Sequence, residues 1–432
     1  MRPGTPLRPT AATTLGPLVS AFLGEEPPIA VQCWDGSVIG DQGAPATIAV
    51  STPNAVRRLL WSPNELGLGR AYVAGELDVH GDVFAALSLR DAMAERDERL
   101  RIGLGWRGWL KALRAALSLH VIGRPLPPPA QEAKLGGRRH SRNRDAAAIT
   151  HHYDLSNDFY RLVLGPSLTY SCAYFETAET TLEEAQANKY DVIARKLGLK
   201  PGMRLLDVGC GWGSMLLHAA KHYGVTGVGV TLSPAQAQLA TERVAAAGLA
   251  GDIDIRVQDY RAIDDGPFDA ISSIGMFEHV GRKHLSTYFQ QLFDLLAPEG
   301  RLLNHGISRP GGEESKFDKN GFIERYVFPD GELHEVGTVV SMMQDRGFEV
   351  RDVESLREHY ARTLRVWVAN LEANWEQAVD LVGPSARIWR LYMAGSALHF
   401  EAGRTSIHQV LAVKPGPVGD SGMPLSRRAL LG

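Results

Sequence analysis

Leu205-Leu206-Asp207-Val208-Gly209-Cys210-Gly211-Trp212-Gly213 decides the fold. An apolar run ends in an aspartate-bearing turn with glycine at every second position, and a helix-compatible stretch follows at once. Glycine lets the chain turn tightly and lets a ligand approach the backbone unobstructed. A dinucleotide fingerprint would read G-x-G-x-x-G with an acid about 20 residues on. Here the spacing is G-x-G-x-G, and the next strand-like run ends at Thr231. A P-loop is excluded because no Gly-Lys-Ser/Thr follows.

Working outward, apolar strand runs fall at 203–208, 225–230, 252–257, 268–274 and 300–305. Helix-compatible stretches at 213–223, 233–247 and 283–297 separate them. That alternation predicts an α/β domain with a parallel sheet and crossover helices. Two more strands, 347–353 and 407–413, flank a helical insertion. Its Leu364, Trp367, Val368, Leu371 and Trp375 share one helical face, which reads first as core and second as the roof of a pocket. Short strands near Ile29–Val31 and Thr47–Val50, with helical patterns after them, predict a smaller N-terminal α+β domain. The expected organisation is a disordered N-terminus 1–15, an α+β domain 16–122, a linker 123–148, a main domain 149–415 and a tail 416–432. The linker carries Pro127-Pro128-Pro129 and a basic run of Lys134, Arg138, Arg139, Arg142 and Arg144.

The 432 residues suggest two or three folded units. With 44% hydrophobic and 22% charged residues, the composition is that of a soluble globular protein and excludes a disordered or collagen-like chain. Lys+Arg 46 against Asp+Glu 49 gives a net charge of -3, so no nucleic-acid partner is expected. Cys33, Cys172 and Cys210 are widely spaced, which argues against a disulfide framework or structural zinc; no metal site and a cytoplasmic location are expected. No apolar run is long enough to span a bilayer, so any membrane contact is peripheral. Residues 104–117 place Trp106, Trp109, Leu110, Leu113 and Leu117 on one helical face and Arg107, Lys111 and Arg114 on another. Such a helix suits an anionic membrane surface, and equally suits packing inside the protein.

The D-x-G-x-G-x-G turn resembles motif I of class I methyltransferases, which bind S-adenosylmethionine. Other motifs narrow the resemblance. His152-Tyr153-Asp154-Leu155-Ser156-Asn157-Asp158-Phe159-Tyr160 precedes Tyr170-Ser171-Cys172-Ala173-Tyr174-Phe175. Later come Gly229-Val230-Thr231-Leu232-Ser233, Gln258-Asp259-Tyr260-Arg261 and Gly275-Met276-Phe277-Glu278-His279-Val280-Gly281. From about 150 to 413 the chain closely resembles the cyclopropane-fatty-acid synthase family, mycolic-acid cyclopropane synthases included. Residues 15–120 resemble, less distinctly, the extra N-terminal domain of the phospholipid-acting members. The resemblance implies a Rossmann-like methyltransferase domain with a helical lid.

It also implies roles. Tyr153, Tyr170, Ser171, Asp207, Gly209, Gly211, Gly213 and Ser233 would serve the methyl donor, with Thr231, Leu232 and Gln236 near its ribose and Asp259 and Tyr260 at its adenine. Bicarbonate would be held by Cys172, Glu278, His305, the Ile307 backbone and Tyr360. The implied reaction is methyl transfer to the cis double bond of a phospholipid-bound unsaturated acyl chain. Cyclopropane is the first expectation for the product, and a methylene branch, as in 10-methylstearate synthesis, the second. Phe328-Pro329-Asp330-Gly331-Glu332-Leu333 looks nearer the group that makes the methylene product. A homodimer, and a reductase partner for the methylene case, are further expectations. The rivals are a methyltransferase of soluble small molecules and a non-catalytic lipid-binding protein with a relic donor site.

Overall fold

The structure, a computed structural model, describes residues 10–23, 27–96, 110, 117–119, 121, 123–133, 144, 155–311 and 321–431. Residues 104–109 and 111–116 lie outside that set, and with them most of the amphipathic stretch; so does Tyr153.

Strands β1 (Ala30–Gln32), β2 (Val38–Ile39), β3 (Ala46–Val50) and β4 (Leu77–Gly81) form a four-stranded sheet in the order β2-β1-β3-β4. It belongs to one of two compact units, comprising Met1–Glu132, Lys319–Tyr326 and Gly383–Leu398. The expected main domain 149–415 is therefore not continuous. Arginines explain why 383–398 sits here: Arg387 lies over the Tyr72 ring at 4.3 Å and donates to Leu77 O at 2.6 Å. Arg390 donates to Val79 O at 2.9 Å.

The second unit comprises Ala133–Asp318, Val327–Val382 and His399–Gly432. Its strands are β5 (Arg204–Val208), β6 (Thr226–Thr231), β7 (Ile253–Val257), β8 (Phe268–Ile274), β9 (Leu296–Arg309), β10 (His334–Glu335), β11 (Glu349–Ser355) and β12 (Ser406–Val413). They form one sheet in the order β11-β12-β9-β8-β5-β6-β7, with β10 beside β9. The strands β5 to β9 run parallel; β12 lies antiparallel to β9, and β11, antiparallel to β12, runs with the parallel set again. This is the α/β, Rossmann-like class the sequence predicts.

β5 is apolar at successive positions because both sheet faces are covered. Leu205 packs with Ile193, Leu197 and Leu216 on one face, whereas Leu206 and Val208 join Phe289 and Leu292 on the other. Leu206→Ala should destabilise the protein by about 2–5 kcal/mol, since a rigid core retains the cavity. Urea unfolding monitored by far-UV circular dichroism measures this; an unchanged midpoint and slope would reject the packing account.

The insertion is three helices: Arg357–Ala373, Trp375–Val382 and Ser385–Glu401. Leu364, Trp367, Val368 and Leu371 are buried as a stripe. Trp375 falls off that stripe because the first helix ends at Asn374 and a new one starts at Trp375. Among the described residues no helix is long and apolar enough to cross a membrane.

Candidate active site

Strand order reverses at β5, with β6 and β7 on one side and β8 and β9 on the other. Open parallel sheets bind ligands at the carboxyl ends of the strands at such a point. A cavity lies there, lined among others by Tyr170, Ser171, Asp207, Gly209, Gly211, Thr231, Leu232, Gln236, Asp259 and Tyr260. Its protein-free space, including open solvent at the mouth, is about 1140 Å³.

Each wall has a local cause. Gly209 and Gly211 adopt φ +81° and +54°, and a Cβ on Gly211 would point into open space with only Gln236 Nε2 as near as 4.0 Å. Asp207 is buried at the end of β5 and accepts from the Ser272 hydroxyl at 2.7 Å. Burial raises its pKa to about 6, with the Ser272 bond and nearby Lys189 opposing the rise. Thr231 donates its hydroxyl to Gln236 Oε1 at 2.8 Å, which fixes the end of β6 against the next helix. Asp259 receives Arg261 through the backbone N–H and the guanidinium. Tyr260 stands edge-on to Tyr288, ring centres 4.9 Å apart.

Two expected donor residues stand behind the wall. Gly213, at φ +77°, is the N-cap of the helix Ser214–Tyr223. Ser233 is fully buried and caps the helix Pro234–Ala246 by accepting from Gln236 N. Both shape the turns that carry lining residues, and neither lines the cavity.

A second, drier cluster adjoins the first. Its members flank cavity residues along the chain: Cys172 follows Ser171, and Glu278 lies between Met276 and His279. Glu278 Oε1 accepts from Ile307 N at 2.7 Å, while Oε2 is buried without a partner among the described residues. The Ile307 N–H is therefore committed to Glu278, and Ile307 positions that carboxylate instead of offering its own donor. Burial raises the Glu278 pKa to about 7. His305 is completely buried, with Nε2 likewise unpartnered among the described residues. Cys172 donates its thiol towards Leu356 O at 3.7 Å, and Tyr360 N donates to the same carbonyl at 3.1 Å. Leu356 N in turn donates to Ile407 O at 2.9 Å, and Ile407 is the ladder partner of Ile307. These links join four of the five expected positions, and the fifth, His305, stands two residues before Ile307 on the same strand, paired with Gln409. Burial pushes the Cys172 thiol far up, so it stays protonated and is no nucleophile. Tyr360 packs its ring on Phe400 at 4.8 Å and edge-on to Trp367 at 6.0 Å. Among the described residues no group of His, Cys, Asp and Glu is placed to hold a metal.

Sequence reading missed Lys189. It is fully buried, donates to Ser171 Oγ at 2.9 Å and lies 3.8 Å over the Tyr190 ring. Burial lowers its pKa to about 7, with Cys172 and Asp207 acting in the opposite direction. Gln186, one turn earlier, donates to Ser171 O at 3.0 Å. The available signal was three polar residues, Gln186, Lys189 and Lys196, among the buried positions of the helix Leu182–Leu197.

A sequence model described as mycolic acid cyclopropane synthetase matches residues 140–410. A probable fatty acid methyltransferase of Mycobacterium tuberculosis is 44% identical over 409 residues, covering 92% of this chain and 94% of that protein. A second, from Pseudomonas putida, is 40% identical over 409 residues, covering 93% and 95%. The solved mycolic acid cyclopropane synthase CmaA1, complexed with SAH and CTAB, aligns with 62% of this chain and 97% of its own at 38% identity and a TM-score of 0.59. With a glycine-turn cavity at the switch point and relatives matching almost end to end, this chain belongs to the mycolic acid cyclopropane synthetase family and is an S-adenosylmethionine-dependent methyltransferase.

Proposed function

We propose that the enzyme methylates the cis double bond of a phospholipid-bound unsaturated acyl chain and forms a cyclopropane. The observation that carries this reading is that Glu278 Oε2 and His305 Nε2 are both buried without a partner among the described residues, Glu278 lying between the cavity residues Met276 and His279 and His305 O accepting from the cavity residue Gly275 at 2.8 Å. Buried polar atoms in native proteins have partners, so the pair points to a small polar guest. Bicarbonate fits: its hydroxyl suits the carboxylate, and its oxygens suit an imidazole N–H.

S-adenosylmethionine supplies an electrophilic methyl, and bicarbonate held by Cys172, Glu278, His305 and Tyr360 supplies a proton-accepting oxygen. The protein's share is placement and polarity. An alkene is a weak nucleophile and must be held in line, away from water. The stripe of Leu364, Trp367 and Leu371 is buried, and Trp367 packs on the cavity residue Tyr170 with ring centres 5.4 Å apart, which supports an apolar surface next to the donor. Methyl transfer leaves positive charge on the acyl carbon, which the Tyr360 ring face and the Glu278 carboxylate stabilise. Loss of a proton from the new methyl then closes the ring.

A methylene branch is the second reading. Glu332 N donates to Glu278 O at 3.0 Å and Glu332 Oε2 accepts from Arg282 N at 2.8 Å, so the Phe328–Leu333 segment bears directly on the backbone that carries Glu278. An anionic membrane surface as docking partner, a homodimer and, for the methylene product, a reductase belong to the same proposal. Incubation with vesicles of dioleoyl phosphatidylglycerol and labelled S-adenosylmethionine tests it. The labelled acyl chain should gain one CH2 and survive mild ozonolysis as a cyclopropane. An acyl chain that carries the label before ozonolysis and releases it as formaldehyde afterwards identifies the methylene branch instead, and label found only in water-soluble products before ozonolysis refutes the lipid substrate.

A further inference from the structure

The chemistry of His305 depends on which ring nitrogen carries its proton. Its Nδ1 lies 3.2 Å from Gln409 Nε2. Its Nε2 is buried with no partner among the described residues. Burial, with Lys189 and Lys196 nearby, holds the imidazole well below its ordinary pKa, so the ring is neutral. In a neutral imidazole one nitrogen donates and the other accepts, and the bond made by one decides the state of the other.

Lys196 settles which way the Gln409 amide points. Its ammonium is completely buried, has donors only, and donates to Gln409 Oε1 at 2.9 Å. It is anchored in turn by Glu354 Oε2 at 2.5 Å and Asp352 Oδ2 at 3.3 Å. Turning the amide over would aim its NH2 at the ammonium and leave two buried donors face to face. The NH2 therefore faces Nδ1, which accepts. Strand register makes the arrangement rigid: Glu354 pairs with Gln409 across β11 and β12, and Gln409 pairs with His305 across β12 and β9. Directly opposed residues share a sheet face, so the three side chains stand in a row under the helix that carries Lys196.

We propose that Lys196 and Gln409 are positioning residues that lock His305 as the Nε2–H tautomer and so present a fixed N–H donor to an anion in the buried cluster. The identity of that anion rests on the bicarbonate reading, whereas the tautomer does not. A nitrogen that already carries its proton holds an acceptor in place. It cannot serve as the base that removes a proton from the substrate.

NMR of the full-length protein with ¹⁵N-labelled histidine tests this, the His305 signals being assigned by their loss in His305→Asn. In wild type, Nε2 should show the shift of a protonated ring nitrogen and Nδ1 that of an unprotonated one. Gln409→Glu exchanges the donor facing Nδ1 for an acceptor, and Nδ1 should become protonated. Gln409→Met keeps the size, removes the bond and should yield a mixture of tautomers. In that variant the bicarbonate concentration for half-maximal methyl transfer should rise about tenfold, the scale seen when a group orienting a ligand-holding histidine is lost. Its KM for S-adenosylmethionine should stay unchanged. A protonated Nδ1 in wild type, or a Gln409→Glu spectrum identical to wild type, overturns the lock. The expected tautomers with no bicarbonate dependence uphold the lock and reject the bicarbonate reading alone.

Discussion

Glu278→Gln should lower turnover about 10²–10³-fold, the scale lost when one preorganised electrostatic partner is removed from an active site. The replacement keeps the size, and its amide oxygen still accepts from Ile307 N, the bond that Glu278 Oε1 makes at 2.7 Å. What disappears is the charge, and at the buried Oε2 position an acceptor becomes a donor. Affinity for S-adenosylhomocysteine should stay within about twofold, or about 0.4 kcal/mol, because Glu278 does not line the donor cavity. Normal turnover in the variant would remove Glu278 from the reaction.

Stability should move the other way. Burial raises the Glu278 pKa from 4.5 to about 7, so between those values the folded state binds a proton that the unfolded state has released. Folding stability from this group is then lost as pH rises through that window. Glutamine carries no proton to lose, so Glu278→Gln should gain stability relative to wild type at pH 8 and gain least at pH 4. Paired urea titrations at the two pH values measure the difference. An equal effect at both would mean that Glu278 is not a strained buried carboxylate. A variant that is slower yet firmer above neutrality marks a group retained for function.

Gly211→Val should abolish donor binding, lowering affinity for S-adenosylhomocysteine at least about 100-fold, or about 2.7 kcal/mol. The argument is one of space. A Cβ at Gly211 meets no protein atom closer than Gln236 Nε2 at 4.0 Å, so the branched side chain would occupy the cavity itself. The φ of +54° adds strain of about 1–2 kcal/mol for an L residue, which Gly211→Ala shares largely without filling the cavity as far. Calorimetric titration of wild type and both variants separates the two effects. Affinity should fall steeply from alanine to valine while both proteins unfold cooperatively. Undiminished binding by folded Gly211→Val would place the donor elsewhere.

The sequence by itself determined the parts of this protein that depend on near neighbours. Leu205–Gly213 announces a strand, a tight turn and a helix, because apolar periodicity and the positive φ of Gly209, Gly211 and Gly213 are local properties. The alternation of runs from 203 to 305 likewise implied a covered parallel sheet and hence a site at its carboxyl edge. Resemblance added Glu278, His305, Cys172 and Tyr360 as a set; the structure links Glu278, Cys172 and Tyr360 through Leu356, Ile407 and Ile307 and ties His305 to Gln409. Only the tertiary structure revealed that Ser233 and Gly213 serve as caps, that Trp375 begins a new helix, and that 383–398 belongs with the N-terminal unit. It alone brought Lys189 and Lys196 inside. A lysine in a helix reads as a solvated charge, since burying it is costly unless distant groups receive its protons. The groups that do so are Ser171 for one, and Glu354 and Gln409 for the other, the last of them 213 residues away. Helix, turn and strand follow from contacts along the chain, whereas the fate of a buried charge follows from contacts across it.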